Sequence, residues 1–172
     1  MAKIWVISDT HFGHENIIQY HNRPFANAEL MDECIADNWN SVVSDDDIVY
    51  HLGDVYLGAS LVSIGSLKGR KRLILGNHDN GTDQRFKGFE KILSERKFPE
   101  WKVLLTHRPV HPDGLKQDLF SHSGKKRDWS YTNVHGHLHT NPSPSGDYVS
   151  ACVEWHDYKP VELELWSTWR TW

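Results

Sequence analysis

Ile4-Trp5-Val6-Ile7-Ser8-Asp9-Thr10-His11 is the stretch on which the fold turns: a four-residue apolar run closed by polar groups. A run this short, with β-branched residues, reads as a buried strand. The pattern returns four times. Ile48-Val49-Tyr50-His51-Leu52 runs into Gly53-Asp54, and Arg72-Leu73-Ile74-Leu75 runs into Gly76-Asn77-His78-Asp79. Lys102-Val103-Leu104-Leu105 runs into Thr106-His107, and Tyr131-Thr132-Asn133-Val134 runs into His135-Gly136-His137-Leu138-His139. Each run delivers its polar residues at its carboxyl end.

Between the first two runs Leu30, Met31, Cys34, Ile35, Trp39 and Val42 recur at helical spacing, with Asn27 placed as an N-cap. Ala59 to Leu67 reads as a shorter helix, and Gln84 to Leu93 as another, weakened by Gly88. The order β-α-β-α-β predicts parallel strands joined by helical crossovers. After the turn-rich Asn141 to Gly146, Tyr148 to Glu154 and Val161 to Trp166 are expected to form a hairpin. Pro109 to Asp128, with His111, His122 and Lys125-Lys126-Arg127, lacks a period and reads as a long loop over the strand ends.

A length of 172 residues fits one domain, expected over 1–172. Hydrophobic residues make up 38%, with 12 Gly besides, which excludes general disorder. Lys and Arg number 19 against 23 Asp and Glu, a net charge of -4 with His neutral, so no broad basic field draws in nucleic acid or a membrane. A phosphate-bearing substrate must be held locally. Cys34 and Cys152 form no C-x-x-C and read as small core residues, and no apolar run has the length of a leader or a membrane span. A reducing, cytoplasmic setting is expected. The 12 His exceed what a fold needs and direct attention to metal binding.

In open α/β sheets ligands bind beyond the carboxyl ends of the strands. Those ends supply Asp9, His11, Asp54, Asn77, His107, His137 and His139, all oxygen or imidazole donors. Seven are too many for one open catalytic ion, which takes about three. They suit two metals if one carboxylate bridges. Such a pair, about 3.5–4 Å apart, binds a hydroxide nucleophile and phosphoryl oxygens.

With Asp9-Thr10-His11, Gly53-Asp54, Gly76-Asn77-His78-Asp79, His107 and Gly136-His137-Leu138-His139 in that order, the chain resembles the calcineurin-like metallophosphoesterases, especially the small stand-alone type of bacteria, archaea and phages. The resemblance implies an α/β fold, a four-layer-like α-β-β-α sandwich of mixed sheets flanked by helices. It implies one metal on Asp9, His11, Asp54 and His139, and a second on Asp54, Asn77, His107 and His137, with Asp54 bridging. His78 would face the scissile phosphate, and the position of Asp79 next to it leads us to expect that Asp79 fixes its tautomer, both in catalytic roles. The cofactors would be two divalent ions, Mn first, with Fe, Zn, Co and Ni as alternatives. The activity would be hydrolysis of a nucleotide-type phosphodiester by a metal-bridging hydroxide. Hydrolysis of small phosphomonoesters stands second, and a non-catalytic protein-binding scaffold of the same fold third.

The phosphoprotein phosphatases of this superfamily read G-D-x-x-D-R-G, whereas this chain has Gly53-Asp54-Val55-Tyr56-Leu57-Gly58 and so lacks their phosphate-clamping Arg at that place. The expected partner is a small phosphoester, a nucleotide or a short oligonucleotide, and neither long duplex nor membrane. Phe12, His14 and Tyr56 are candidate recognition residues, together with the Pro109 to Asp128 loop. His51 reads as a support behind the ligands, and His135 either as such a support or as a core residue. His14 and Asn16 either reach the site or start a surface helix, and Lys68 to Arg72 reads as a solvated turn away from it. Lys125 to Arg127 either lean over the site or line a surface loop. Trp166, Trp169 and Trp172 cover the domain or the partner of a homodimer.

Overall fold

All five apolar runs are strands in the computed structural model, which describes residues 2–120 and 126–164, with side chains for all of these but 116–120 and 126–129. In chain order the strands are β1 (Ile4–Ile7), β2 (Ile48–His51), β3 (Arg70–Ile74), β4 (Phe89–Leu93), β5 (Arg96–Phe98) and β6 (Val103–Thr106). β7 (Lys116–Phe120), β8 (Lys126–Ser130), β9 (Thr132–His135), β10 (Tyr148–Ser150) and β11 (Val161–Glu162) follow. One sheet has the order β11-β1-β2-β3-β4, parallel from β1 to β4 with β11 antiparallel at its edge. The other has the order β10-β9-β6-β5, with β5 antiparallel.

Side chains alternate across a strand, so each of these runs feeds two interiors. Val6, Tyr50 and Ile74 point to the second sheet and meet Phe98, Val103, Leu105 and Val134. Their neighbours Trp5, Ile7, Val49 and Leu73 point the other way, onto Ile17 of α1 (Glu15–Tyr20) and Met31, Ile35 and Trp39 of α2 (Ala28–Val42). The outer face of the second sheet buries Leu104, Tyr131 and Tyr148 with Leu115 of α3 (Pro112–Leu115). Helix, sheet, sheet and a thin helical layer therefore stack in the expected order.

The sequence explains α2 well. Asn27 is extended and its side chain accepts the Leu30 N–H at 2.9 Å, closing the first turn. Met31, Ile35 and Trp39 then share one buried face.

Five expectations give way. Ala59 to Leu67 holds only a 3-10 turn at Ile64–Ser66, and Gln84–Gly88 is a 3-10 turn leading into β4 in place of a helix. Among the described residues the stretches expected as a hairpin, Tyr148 to Glu154 and Val161 to Trp166, do not pair: β10 joins β9 in parallel, and β11 joins β1 in the other sheet. The 3-10 turn Val153–Trp155 carries the chain between the two sheets. Pro109 to Asp128 is not a plain loop either, since α3 and β7 lie within it and β8, the antiparallel partner of β7, begins in it. Lys68 to Arg72 is partly strand β3, where the Lys71 amine is turned inward onto the Leu67 carbonyl. Trp166, Trp169, Trp172, His122 and Lys125 lie outside the described residues, and Lys126 and Arg127 are described only as backbone of β8.

Candidate metal centre

The loops after β1, β2, β3, β6 and β9 converge, and the seven candidate ligands come together there. Among the described residues two groups have mutually close donor atoms, Asp9, His11 and His139 in one and Asp54, His107 and His137 in the other, each within 4.8 Å. Asp54 Oδ2 faces both: it is 3.8 Å from His11 Nε2 and 3.5 Å from His107 Nε2. Asn77 Oδ1 is 2.9 Å from His107 Nε2 and so borders the second group.

Five of these residues adopt the left-handed backbone region: Asp9 (φ 58°), His11 (51°), Asp54 (56°), His137 (71°) and His139 (50°). Asp and His enter that region more readily than most side chains, yet each such position still costs about 1–3 kcal/mol. The turn stops each strand from continuing and swings its ligand over the sheet end. Two glycines allow the crowding that results. A Cβ at Gly76 would collide with the backbone N and Oδ1 of Asp54, and one at Gly136 with Ser8 Oγ and Asp9 Oδ2.

The donor atoms are prepared for a cation. Asp9 is fully buried, and its Oδ2 accepts from Ser8 Oγ at 2.5 Å, the His137 N–H at 2.9 Å and the Cys152 thiol at 3.4 Å. Its Oδ1 and the Nε2 of His11 are buried without a hydrogen-bond partner among the described residues. Such orphaned atoms are costly unless something positive pairs with them. Burial pushes the Asp9 carboxyl up. It drives His11 far down, so the ring stays neutral with a lone pair to give. His107 gives its Nδ1 hydrogen to the Leu52 carbonyl at 2.7 Å, which leaves Nε2 as the acceptor facing Asp54. The residues fit two divalent ions.

Around the ligands the expectations divide. His51 is buried, its Nε2 bonds Thr10 Oγ1 at 3.0 Å and its Nδ1 accepts the Gly53 N–H at 3.2 Å, and burial takes its pKa to about 3. It stands behind both the first and second strand-end loops. His135 is occupied by Gly136 O and Ser143 Oγ. His14, at the start of α1, approaches His11 with Nδ1 atoms 3.3 Å apart, while Asn16 is exposed on that helix.

His78 is exposed, its ring centre 5.9 Å from that of His11 and its N–H bonded to Asp54 Oδ1 at 2.9 Å. Asp79 does not serve its tautomer. Both Asp79 oxygens are taken by backbone N–H groups, Asp54 at 2.8 Å, Gly76 at 2.8 Å and Val55 at 3.0 Å, which makes it a support for the Asp54 loop. Phe12 and Tyr56 are buried in the core and cannot meet a substrate. His111 is exposed beside Asp113.

Spacing alone did not reveal Ser8, Cys152, Arg23, Glu154 or Arg108. Cys152 is a hydrogen-bond partner of Asp9 and lies at an isolated bridge with Ser8, in place of an inert strand position. Glu154 accepts the His139 Nδ1 hydrogen at 2.9 Å and pairs with Arg23 at 2.6 Å. Burial opposes ionisation of Glu154, but these two partners take its pKa to about 2. Arg108 is exposed directly after His107, and its charge adds to burial and His107 in depressing His137. No signature marks a single buried Glu or Arg in a sequence; only the need of a buried charge for a partner would have hinted at them.

Two mixed sheets with Asp and His loops at one end, arranged as two facing donor groups, define a fold built to hold metal ions at that end. A family model described as the calcineurin-like phosphoesterase superfamily domain matches residues 2–151, and the chain belongs to that superfamily. The superfamily generally binds two divalent metals. The chain is similar to an uncharacterized protein of Methanocaldococcus jannaschii, with 37% identity covering 96% of this chain and 89% of that one. It is also similar to the gene 66 protein of Mycobacterium phage L5, 32% identical over 81% of this chain and 79% of the other. A crystal structure of a protein of unknown function from Aquifex aeolicus superposes with a TM-score of 0.68 at 26% identity, covering 96% of this chain and 97% of that one.

Proposed function

We propose that this protein is a dinuclear phosphodiesterase acting on nucleotide-type substrates. The observation that carries this reading is Asp54 Oδ2, placed between His11 and His107 with the exposed His78 alongside. Two divalent ions held by Asp9, His11, His139, Asp54, His107, His137 and Asn77 would supply Lewis acidity and an activated water. The chain's own groups do the rest. Asp54 neutralises both positions, and His78, in solvent and tied to Asp54 through its backbone, is placed to hand a proton to the departing oxygen.

Two features support a diester. The Gly53 to Gly58 loop brings no guanidinium to the centre, and a diester carries one negative charge to be neutralised where a monoester carries up to two. Rings also crowd the rim: His14 contacts both His11 and Tyr20, His21 stacks on His139 at 4.0 Å, and Tyr20 and Trp155 are 67% and 52% exposed. Flat exposed faces beside the metals suit a nucleobase. Arg108 favours a second reading, a small phosphomonoesterase, because it sets a positive charge next to His137. Mn is proposed as the resident metal. A cytoplasmic setting rests on the free Cys34 and Cys152, and no described helix is long and apolar enough to cross a membrane.

A panel of phosphomonoesters, linear phosphodiesters and cyclic nucleotides, assayed with added Mn, tests the assignment. Diesters are expected to be cleaved best. A preference for simple monoesters over every diester would overturn it in favour of the second reading.

A further inference from the structure

Glu154 lies beyond the stretch that the family model matches, yet its carboxylate backs a residue of the first donor group. Its Oε1 accepts from His139 Nδ1 at 2.9 Å, Arg23 Nη2 at 2.6 Å and Arg23 Nε at 3.0 Å. The Arg23 side chain is itself fully buried and also bonds the carbonyls of Asp9 at 2.8 Å and Thr10 at 3.0 Å. One guanidinium thus ties the loop that carries Asp9 and His11 to the carboxylate that orients His139. The three pieces come from positions 9–11, 23 and 154, so only the folded chain brings them together.

This arrangement has a chemical consequence. An imidazole can offer either nitrogen to a metal, and an acceptor fixed at Nδ1 keeps the hydrogen there and the lone pair on Nε2. In His139 that free atom is the one 3.7 Å from Asp9 Oδ1. A carboxylate behind the ring also makes Nε2 a better electron donor than a neutral acceptor would. Arg23 offsets the charge of Glu154, which would otherwise be buried alone. The second group is built differently: the Nδ1 hydrogen of His107 goes to the backbone carbonyl of Leu52. One position therefore has a carboxylate-backed imidazole and the other a carbonyl-backed one.

We propose that Glu154, held by Arg23, is a positioning residue for a divalent cation at Asp9, His11 and His139, and that it makes this the tighter of the two metal positions. The proposal rests on the dinuclear reading above.

Calorimetric titration of the metal-stripped full chain with Mn tests it, with Co absorption spectra reporting ligation by imidazole. The wild type is expected to take up two ions in two resolved steps. Glu154→Gln should weaken the tighter step by about 10–100-fold, leave the weaker step within about threefold, and alter the Co spectrum of the first equivalent only. Asn77→Ala should do the reverse. Glu154→Asp, which keeps the charge with a shorter reach, should fall between wild type and Glu154→Gln and gives the same reading if Glu154→Gln does not fold. Two ions in the wild type with both steps unchanged in Glu154→Gln, or weakened equally, would overturn this proposal and leave the dinuclear reading standing. A wild type that binds one ion would overturn both.

Discussion

Asp79 Oδ2 accepts the backbone N–H of Asp54 at 2.8 Å, so the residue whose carboxylate faces both donor groups is itself held, through its backbone, by a second carboxylate that lies outside them. Asp79 also holds the N–H groups of Val55 and Gly76, which fastens the loops after β2 and β3 to each other. Asp79→Ala would leave three partly buried N–H groups without an acceptor and should cost roughly 2–4 kcal/mol of stability, measured by urea unfolding. Asp79→Asn should cost less and should lower activity through metal loss, with the dependence of rate on leaving group unchanged. A changed leaving-group dependence in Asp79→Asn would restore a direct role toward His78.

His78→Ala should retain both metals, because His78 contributes only its backbone N–H to the ligand set. Turnover is expected to fall by about 10²–10⁴-fold, least for a good leaving group such as nitrophenolate. Metal content by elemental analysis, together with rates across a leaving-group series, checks this. Loss of metal, or normal rates on poor leaving groups, would refute the role.

The contrast between Asp79 and the five strands shows what a sequence can convey. β1, β2, β3, β6 and β9 were legible because each is a short apolar run closed by polar groups, and their carboxyl ends place seven candidate ligands at one edge whatever the order of pairing. The destination of β10 was not legible: Val149 aligns with Val134 across a parallel pair, and nothing local distinguishes that from a hairpin with Val161. β4 failed for another reason, since it is an edge strand whose Glu90, Lys91 and Ile92 are exposed and lack alternation. The ligands were visible as motifs; their supports Ser8, Arg23, Cys152 and Glu154 act through contacts distant in the chain or through a single atom. Asp79 was visible as a residue but its role was not, because a carboxylate bonded to backbone leaves no side-chain pattern.

Gly136→Ala puts a methyl group where Ser8 Oγ and Asp9 Oδ2 already lie. The variant is expected to lose about 1–3 kcal/mol of stability and to bind the metal at Asp9, His11 and His139 more weakly. Thermal melts with and without Mn would show it, since a smaller upward shift on adding Mn than in wild type is the expected sign. An unaltered shift would mean that Asp9 does not need the space that Gly136 leaves.

Tyr20 is exposed and contacts the ring of His14, away from the ligand atoms themselves. Tyr20→Ala should raise KM for nucleotide diesters by roughly 5–100-fold, the range of a lost stacking contact, and leave kcat and metal content near wild type. Methyl phosphodiesters, which offer no ring, should be unaffected. An equal change for both substrates would remove the base-binding role of this rim.

In the proposed mechanism catalysis needs two ions sharing Asp54, whose Oδ2 lies 3.8 Å from His11 Nε2 and 3.5 Å from His107 Nε2. Its most direct test is metal stoichiometry against turnover in the wild type and in Asp54→Asn, after stripping and reconstitution with Mn. The expected result is that wild-type activity follows the uptake of a second ion per chain, while Asp54→Asn fails to hold the pair and loses most activity. Full turnover of the wild type with one ion per chain would contradict it.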